Sequence, residues 1–162
     1  MRKILFALGV GGVVFGAYRY YMVQSDILYH SKIKLANIEI LSKKADNFTL
    51  RITINITNNS EYAFTIKKYD LVIFMNENKV TTIGNSNLNT RLAGNGGVSD
   101  ISFKVSFNPA QFGLWDVLGQ LLKTFGNTLV SVKGDVQIQK GILTIDMPMD
   151  ATYKLKEMRK KG

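Results

Sequence analysis

Apolar and polar residues alternate without interruption over residues 48–57. The apolar positions are Phe48, Leu50, Ile52, Ile54 and Ile56. This period of two predicts a half-buried β-strand whose apolar side faces a core, with Arg51 and Thr53 on the outward side. A strand of this kind needs neighbouring strands and a second layer to cover its apolar face.

The same period recurs along the rest of the chain. The further apolar positions are Ile33, Leu35, Ile38, Ile40, Tyr62, Phe64, Ile66, Tyr69, Leu71, Ile73, Met75, Ile101, Phe103, Val105, Phe107, Val132, Val136, Ile138, Ile142, Leu143, Ile145 and Met147. A phase change around Ala36 and Asn37 indicates a β-bulge. Residues 69–75 are apolar on both faces, which predicts a strand in the middle of a sheet.

Turn signals separate these strands. Residues 76–78 predict a hairpin turn in which Asn78 takes a positive φ, and residues 84–97 predict a long loop or a weak edge strand. The strand after Gly141 is expected to end at Pro148, with a short further segment at residues 151–155. We therefore predict a mainly β fold, a sandwich of seven to eight strands.

One amphipathic helix is predicted inside this β region. Asn108 and Pro109 form a helix-start signature, a capping side chain followed by a ring suited to the first turn. The apolar stripe behind it consists of Phe112, Trp115, Leu118, Leu122 and Phe125. Packing of this stripe against a sheet is favoured over a ligand pocket.

The chain begins with an apolar run of about 20 residues, close to the length that a helix needs to span a bilayer. Its candidate membrane-anchor residues are Ile4, Leu5, Phe6, Leu8, Val10, Val13, Val14 and Phe15. Arg2 and Lys3 suit a cytoplasmic start, and the tyrosines at positions 18, 20 and 21 suit the membrane interface.

Three interpretations of this run compete. A cleaved signal peptide is disfavoured because residues 16–18 match a cleavage site poorly. An uncleaved single-pass anchor is favoured, with the sandwich outside the lipid. A helix buried among protein neighbours is the alternative, since Gly9, Gly12 and Gly16 allow close backbone approach. The predicted organisation is a helix at residues 1–23, a linker at 24–31, the sandwich at 32–153 and a basic tail at 154–162.

The net charge of +9 lies mainly at the two ends of the chain. The tail contains Lys154, Lys156, Arg159, Lys160 and Lys161, whereas the region between the ends is nearly balanced. No aromatic residues are interleaved with this basic charge, so nucleic-acid binding is disfavoured.

Candidate chemistry is sparse. There is no cysteine and one histidine, His30, which we interpret as a solvated linker residue. No phosphate-binding loop, nucleophile elbow or zinc motif occurs. Asp70, Asp100, Asp135 and Asp146, with Asp116, are scattered singly along the chain. We therefore expect no catalytic residue, no metal site, no cofactor and no small-molecule substrate.

The order of these elements resembles the late embryogenesis abundant type 2 (LEA-2) family, which includes the LEA14-like and WHy domains. The resemblance covers about residues 32–153 and rests on the alternating strand that runs into Asn58, Asn59 and Ser60, on residues 69–73, on the strand and helix of 105–122, and on Gly134 within 132–136. Asn59 stands where the family usually has proline. The resemblance implies an immunoglobulin- or fibronectin III-like sandwich with one helix, a non-enzymatic role in dehydration stress, and frequent attachment to a membrane anchor.

Two functions follow as hypotheses. The first is a membrane-anchored, non-enzymatic LEA-2-like domain that binds or shields macromolecules or a membrane surface. The second is a structural subunit of a large assembly such as a virus particle (a virion), in which the apolar helix is buried among protein partners.

Overall fold

A computed structural model of the chain describes residues 2–44, 47–108 and 128–154, with the backbone alone for residues 2–14 and for residue 43. Within these residues, one helix precedes eight strands. The helix is α1 (Arg2–His30), and the strands are β1 (Ser31–Lys43), β2 (Phe48–Asn58), β3 (Phe64–Met75), β4 (Asn78–Asn85), β5 (Thr90–Leu92), β6 (Gly97–Phe107), β7 (Leu129–Lys140) and β8 (Leu143–Lys154).

These strands form two antiparallel sheets. Sheet A has the order β1-β2-β6, and sheet B has the order β4-β3-β7-β8, with β5 pairing to β3. The fold is therefore mainly β, as the alternation of apolar residues predicts.

The predicted register of β2 is confirmed. Its five apolar positions, Phe48 to Ile56, are all buried. Arg51 lies on the opposite face, where its guanidinium is 2.8 Å from the Glu39 carboxylate on β1. A shift by one residue would bury Arg51 and expose Ile52, so the pattern fixes which face of the strand is buried.

Two further predictions about strands are confirmed. The register of β1 against β2 shifts between Leu35 and Asn37, at the predicted bulge. β3 lies inside sheet B, between β4 and β7, and a shift between Ile66 and Lys68 joins two alternating runs into one strand.

One hydrophobic core lies between the sheets and takes residues from both. The ring of Tyr69 on β3 is 5.7 Å from the ring of Phe103 on β6, a direct contact between sheet B and sheet A. Burial raises the pKa of the Tyr69 phenol above its ordinary value, because the charged form would lose hydration.

The predicted linker at residues 24–31 is wrong. α1 continues to His30, and β1 begins at Ser31. The cause is tertiary: Val23 and Ile27 lie four residues apart on one face of the helix and pack against the core, which stabilises a helical turn that the polar local sequence does not predict.

The predicted end of a strand at Pro148 is also wrong, because β8 runs through Pro148 to Lys154 without a separate later segment. β8 is the last strand of sheet B among the described residues, and proline is tolerated in an edge strand where its missing N–H faces away from the neighbouring strand.

The β3–β4 turn differs from the prediction as well. Positive φ occurs at Asn76 (45°) and Glu77 (70°), whereas Asn78 is the first residue of β4. Two consecutive residues of positive φ form a two-residue turn whose backbone twist matches the twist of the two flanking strands. The predicted three-residue turn would not provide this match.

The segment at residues 84–97, predicted as a long loop or a weak edge strand, contains the end of β4 and the three-residue strand β5, which pairs with β3. A further fold prediction lies outside the described residues. It is the amphipathic helix with Phe112, Trp115, Leu118, Leu122 and Phe125, together with Asp116.

The two ends of the domain are formed by opposite termini of the same strands. The helix end contains Ser31, Asn58 and Gly97 of sheet A, together with Lys140 and Leu143 of sheet B. The far end contains the opposite termini of the same strands, including Phe48, Met75 and Lys154. The length of β8 places Lys154 about 36 Å from Leu143.

We predict that Gly134→Ala destabilises the fold by about 3 kcal/mol or more. Gly134 has a φ of 145°, and an added Cβ would lie 2.1 Å from the carbonyl oxygen of Asp70 on the neighbouring strand. Urea unfolding followed by circular dichroism measures the change.

Gly141→Ala is the matched control for this substitution. Gly141 also has a positive φ (59°), but no atom lies within 4 Å of an added Cβ. The control therefore measures only the free-energy cost of holding a residue with a Cβ at positive φ, about 1 kcal/mol. Equal losses for the two variants would contradict the close approach of β7 to β3.

Candidate membrane-proximal site

α1 leaves the domain as an exposed helix rich in aromatic residues. Every residue from 15 to 22 is exposed, including Phe15, Tyr18, Tyr20 and Tyr21. At about 100° per residue, Phe15, Tyr18 and Tyr21 lie within about 120° of one another around the helix axis, and Tyr20 lies on another side. Exposed aromatic rings therefore occupy more than one side of the helix, and we call these four residues the aromatic collar. Arg19 lies against this collar, its guanidinium carbon 5.6 Å from the centre of the Phe15 ring.

Most of the predicted anchor lies outside the described side chains, namely Ile4, Leu5, Phe6, Leu8, Val10, Val13 and Val14, with Gly9 and Gly12. Gly16 is described, and a Cβ added there would meet no atom within 4 Å. Among the described residues, no helix combines the length and the apolar character needed to cross a membrane.

The last two turns of α1 are fixed to the domain. Ile27 is 0% exposed and belongs to the hydrophobic core, and Val23 packs against it. The Asp26 carboxylate accepts a hydrogen bond from the backbone N–H of Glu61 (3.3 Å) and lies 2.7 Å from Nδ1 of His30. His30 is thus the last residue of a docked helix, paired within that helix.

The backbone N–H of Asn59 donates to the carbonyl oxygen of His30 at 3.2 Å. This bond satisfies a helix carbonyl that has no partner within the helix. Proline, which the resembled family usually has at this position, carries no backbone N–H. The departure at Asn59 therefore provides a bond between α1 and the end of β2.

Asn58 lies beside this contact and is fully buried. Its Nδ2 donates to the carbonyl oxygens of Tyr62 and Ala93, each at 2.8 Å. Its Oδ1 accepts from the Ser60 hydroxyl at 2.6 Å, from the Ser60 backbone N–H at 3.1 Å and from the Ser31 hydroxyl at 3.2 Å. The amide therefore joins the start of β1, the turn after β2 and the end of β5.

The β5–β6 turn folds onto the same backbone. Asn95 N–H donates to the Ser60 carbonyl, and Gly96 N–H donates to the Asn58 carbonyl, both at 2.7 Å. At Gly94 a Cβ would lie 2.6 Å from the carbonyl oxygen of Glu61, so glycine is required for this approach. The Asn58, Asn59 and Ser60 motif thus has an architectural role at the helix end.

The prediction that the acidic residues are scattered singly is wrong for three of them. Asp70 and Asp135 are direct partners across β3 and β7, and Asp146 joins them around a shallow surface depression of about 200 Å³. The alternation of polar and apolar residues along β7 and β8 could have predicted that Asp135 and Asp146 lie on the same face of one hairpin. It could not have predicted that Asp70 lies beside them, because the pairing of β3 with β7 is set by long-range contacts.

The carboxylates of this depression are exposed to solvent, and those of Asp70 and Asp146 have partners. Gln137 donates to Asp146 at 2.9 Å, and Nζ of Lys68 is 3.8 Å from Asp70. Within the described residues, no group of three or more histidine, cysteine, aspartate or glutamate side chains is arranged to hold a metal ion. The arrangement is that of a solvated polar surface.

The basic tail begins at the far end of the domain. Lys154 is the last residue of β8 and pairs with Leu129. The other tail residues, Lys156, Arg159, Lys160 and Lys161, lie outside the described residues.

We predict that Ile27→Ala lowers the free energy of unfolding by about 2 to 5 kcal/mol, because a fully buried side chain is truncated at the contact between helix and core. The adjacent Leu28 is exposed, so Leu28→Ala should change it by about 0.5 kcal/mol or less. Denaturant unfolding of the two variants measures the difference. Similar midpoints would mean that α1 does not dock on the domain.

A second matched pair tests the amide. Asn58→Asp keeps the size of the side chain but replaces both donors with a buried charge that faces two carbonyl oxygens, so we expect a loss of about 3 to 5 kcal/mol at neutral pH. Asn59→Asp changes an exposed side chain and should alter stability by about 0.5 kcal/mol or less. Thermal and urea unfolding at pH 7 compare them, and equal stability would contradict the role of the amide.

Solved structures share this fold. A solution structure of an Arabidopsis thaliana protein matches with a TM-score of 0.57 at 8% identity, covering 75% of this chain and 78% of that one. A crystal structure of a Northeast Structural Genomics Consortium target matches with a TM-score of 0.55 at 10% identity, covering 78% and 85%. At such identities the similarity concerns the fold alone.

The similar solved structures include a protein described as late embryogenesis abundant (LEA), with a TM-score of 0.46, 9% identity, and coverage of 94% of this chain and 88% of that one. At the level of sequence, no protein-family model matches the chain, and no curated protein sequence is significantly similar to it.

Proposed function

We propose that this protein is a membrane-anchored, non-enzymatic domain of LEA-2 type that binds or shields macromolecules or a membrane surface. α1 is its attachment to the bilayer, and the two sheets form the exposed domain outside the lipid. The class of function proposed is protection under stress.

The proposal rests on the difference in solvent exposure between the two parts of α1, before and after Met22. Residues 15–22 are exposed and include the aromatic collar, and the apolar run of the sequence lies immediately before them. Tyrosine rings favour the membrane–water interface, where the ring meets apolar surroundings and the hydroxyl meets water. From Val23 onward the same helix packs on the domain.

We also propose that the two sheets form a sandwich of the immunoglobulin or fibronectin III type. The strands can be given the letters used for immunoglobulin domains. In sheet A, strands A, B and E correspond to β1, β2 and β6. In sheet B, strands C′, C, F and G correspond to β4, β3, β7 and β8. This order separates A, B and E from C, F and G, as in immunoglobulin-like domains.

The non-enzymatic part of the proposal rests on the chemistry of the described surface. The acidic cluster of Asp70, Asp135 and Asp146 is open to solvent, whereas enzymes usually place a catalytic acid in a cleft that excludes water. The polar groups of the motif Asn58–Ser60 form hydrogen bonds within the fold.

Membrane attachment is tested with the full-length chain and with a variant that lacks residues 1–22 but keeps Val23 and Ile27. We predict that the full-length protein stays with membranes after alkaline carbonate extraction and is released by detergent. The truncated variant should be recovered in the supernatant, with the β-sheet part of its circular dichroism spectrum retained and most of the helical part lost with residues 2–22 of α1.

A charge substitution provides a matched comparison. Val10→Arg combined with Val13→Arg should release the full-length protein, since an arginine in the middle of a membrane helix costs about 3 kcal/mol. Thr82→Arg adds charge at an exposed position of β4 and should leave attachment unchanged. Sedimentation of the native protein in particles without lipid would contradict the proposal and favour the structural-subunit hypothesis.

A further inference from the structure

Exposed apolar side chains are concentrated on one part of the molecule. Ten large hydrophobic residues are exposed among the described side chains, and seven of them belong to α1. Of the three on the sheets, Val98 (60% exposed) and Ile142 (98%) lie at the helix end, and Leu41 (37%) lies towards the far end. The helix end is therefore the apolar end of the domain.

Ile142 is the most exposed of these residues. It occupies the tip of the β7–β8 hairpin, next to Gly141, whose φ of 59° makes the turn. No core contact explains an isoleucine at a fully exposed turn, where polar residues are usual. Val98, near the start of β6, points to the outer face of sheet A at the same end.

The hairpin tip and sheet A are connected at this end through Tyr62. Nζ of Lys140 lies 5.8 Å from the centre of the Tyr62 ring, and the Tyr62 carbonyl accepts a hydrogen bond from Asn58. Asn58 in turn pairs with Ser31, the residue that follows α1. Ile142 is thus part of the same end as the last turn of the helix.

The charges of this end suit an anionic surface. Lys32, Arg91 and Lys140 are exposed near the strand termini. Glu61 and Asp100 are opposing exposed carboxylates there, and Asp26 is a third, half-buried one. Asp100, close to Val98, accepts a hydrogen bond from Asn55 at 2.7 Å, and Asp26 lies 2.7 Å from Nδ1 of His30. Basic residues beside exposed apolar tips are the combination that binds anionic phospholipid headgroups.

The helix contacts bring this end close to the aromatic collar. Val23 already packs against the domain core, and it lies two residues beyond Tyr21, about 3 Å along the helix axis. If the collar lies at the bilayer interface, the domain end that covers Val23 lies within reach of the headgroups. With a flexible linker, the distance between the aromatic collar and the helix end of the domain would vary, whereas the docked helix fixes it.

We propose that the helix end of the domain is a second membrane-contact surface, in which Ile142 enters the interface and Lys140 with its basic neighbours binds anionic phospholipid headgroups. This inference rests on the proposed function, since α1 brings the surface to the bilayer. The surface is defined without the basic tail, because Lys154, where the tail begins, lies at the far end of the domain.

The test uses the absence of cysteine in the chain. Ile142→Cys in the full-length protein is labelled with an environment-sensitive fluorophore and reconstituted into vesicles of mixed zwitterionic and anionic phospholipids. We expect emission at shorter wavelength and quenching by lipid-attached quenchers. Glu77→Cys is the matched control, because it occupies the exposed tip of the β3–β4 hairpin at the far end and should report water.

Vesicles of zwitterionic lipid alone, and Lys140→Glu combined with the label, test the headgroup contact. We expect both to reduce the quenching at position 142 while the protein stays attached through α1. A label at position 142 that resembles the control in attached protein would overturn this inference and leave the anchor intact. Failure of the full-length protein to attach to any vesicle would overturn the proposed function and this inference together.

Discussion

The buried amide of Asn58 is the interaction on which the helix end depends. Five hydrogen bonds satisfy its oxygen and nitrogen and connect β1, the turn after β2 and the end of β5. A buried amide without partners would cost several kcal/mol, so the segments around it have one favourable arrangement. The adjacent Asn59 and Glu61 backbones, held in that arrangement, donate to α1. The direction in which the helix leaves the domain is therefore set by the same network that closes this end of the sheets.

This coupling changes what an N-terminal helix can do. A membrane anchor joined by a flexible linker lets its domain rotate freely, whereas α1 enters the core at Ile27 and continues into β1 without a loop. If α1 is the anchor proposed above, it presents the domain with one end towards the membrane. The exposed side chains follow the same division, with apolar tips at the helix end and polar ladders such as Thr53 with Ser102 on the outer face of sheet A.

The sequence by itself determined the strands and their faces. Alternation over Phe48–Ile56 predicts the buried side of β2, and the phase change near Ala36 predicts the bulge in β1, because side-chain direction in an extended chain depends only on parity. The resemblance to the LEA-2 family predicts a mainly β fold, and the two antiparallel sheets confirm it. Local pattern also marked Asn58, Asn59, Ser60 and Gly134, although it gave no reason for their presence.

Only the tertiary structure decided what joins these elements. The helical state of residues 24–30 depends on the burial of Ile27, and the extension of β8 through Pro148 depends on its place at a sheet edge. The grouping of Asp70 with Asp135 depends on the pairing of β3 with β7. The exposure of Ile142 depends on its position at a hairpin tip. Each outcome is set by contacts between residues far apart in the chain, which local periodicity cannot encode, and therefore the apolar end beside α1 became visible only in the folded domain.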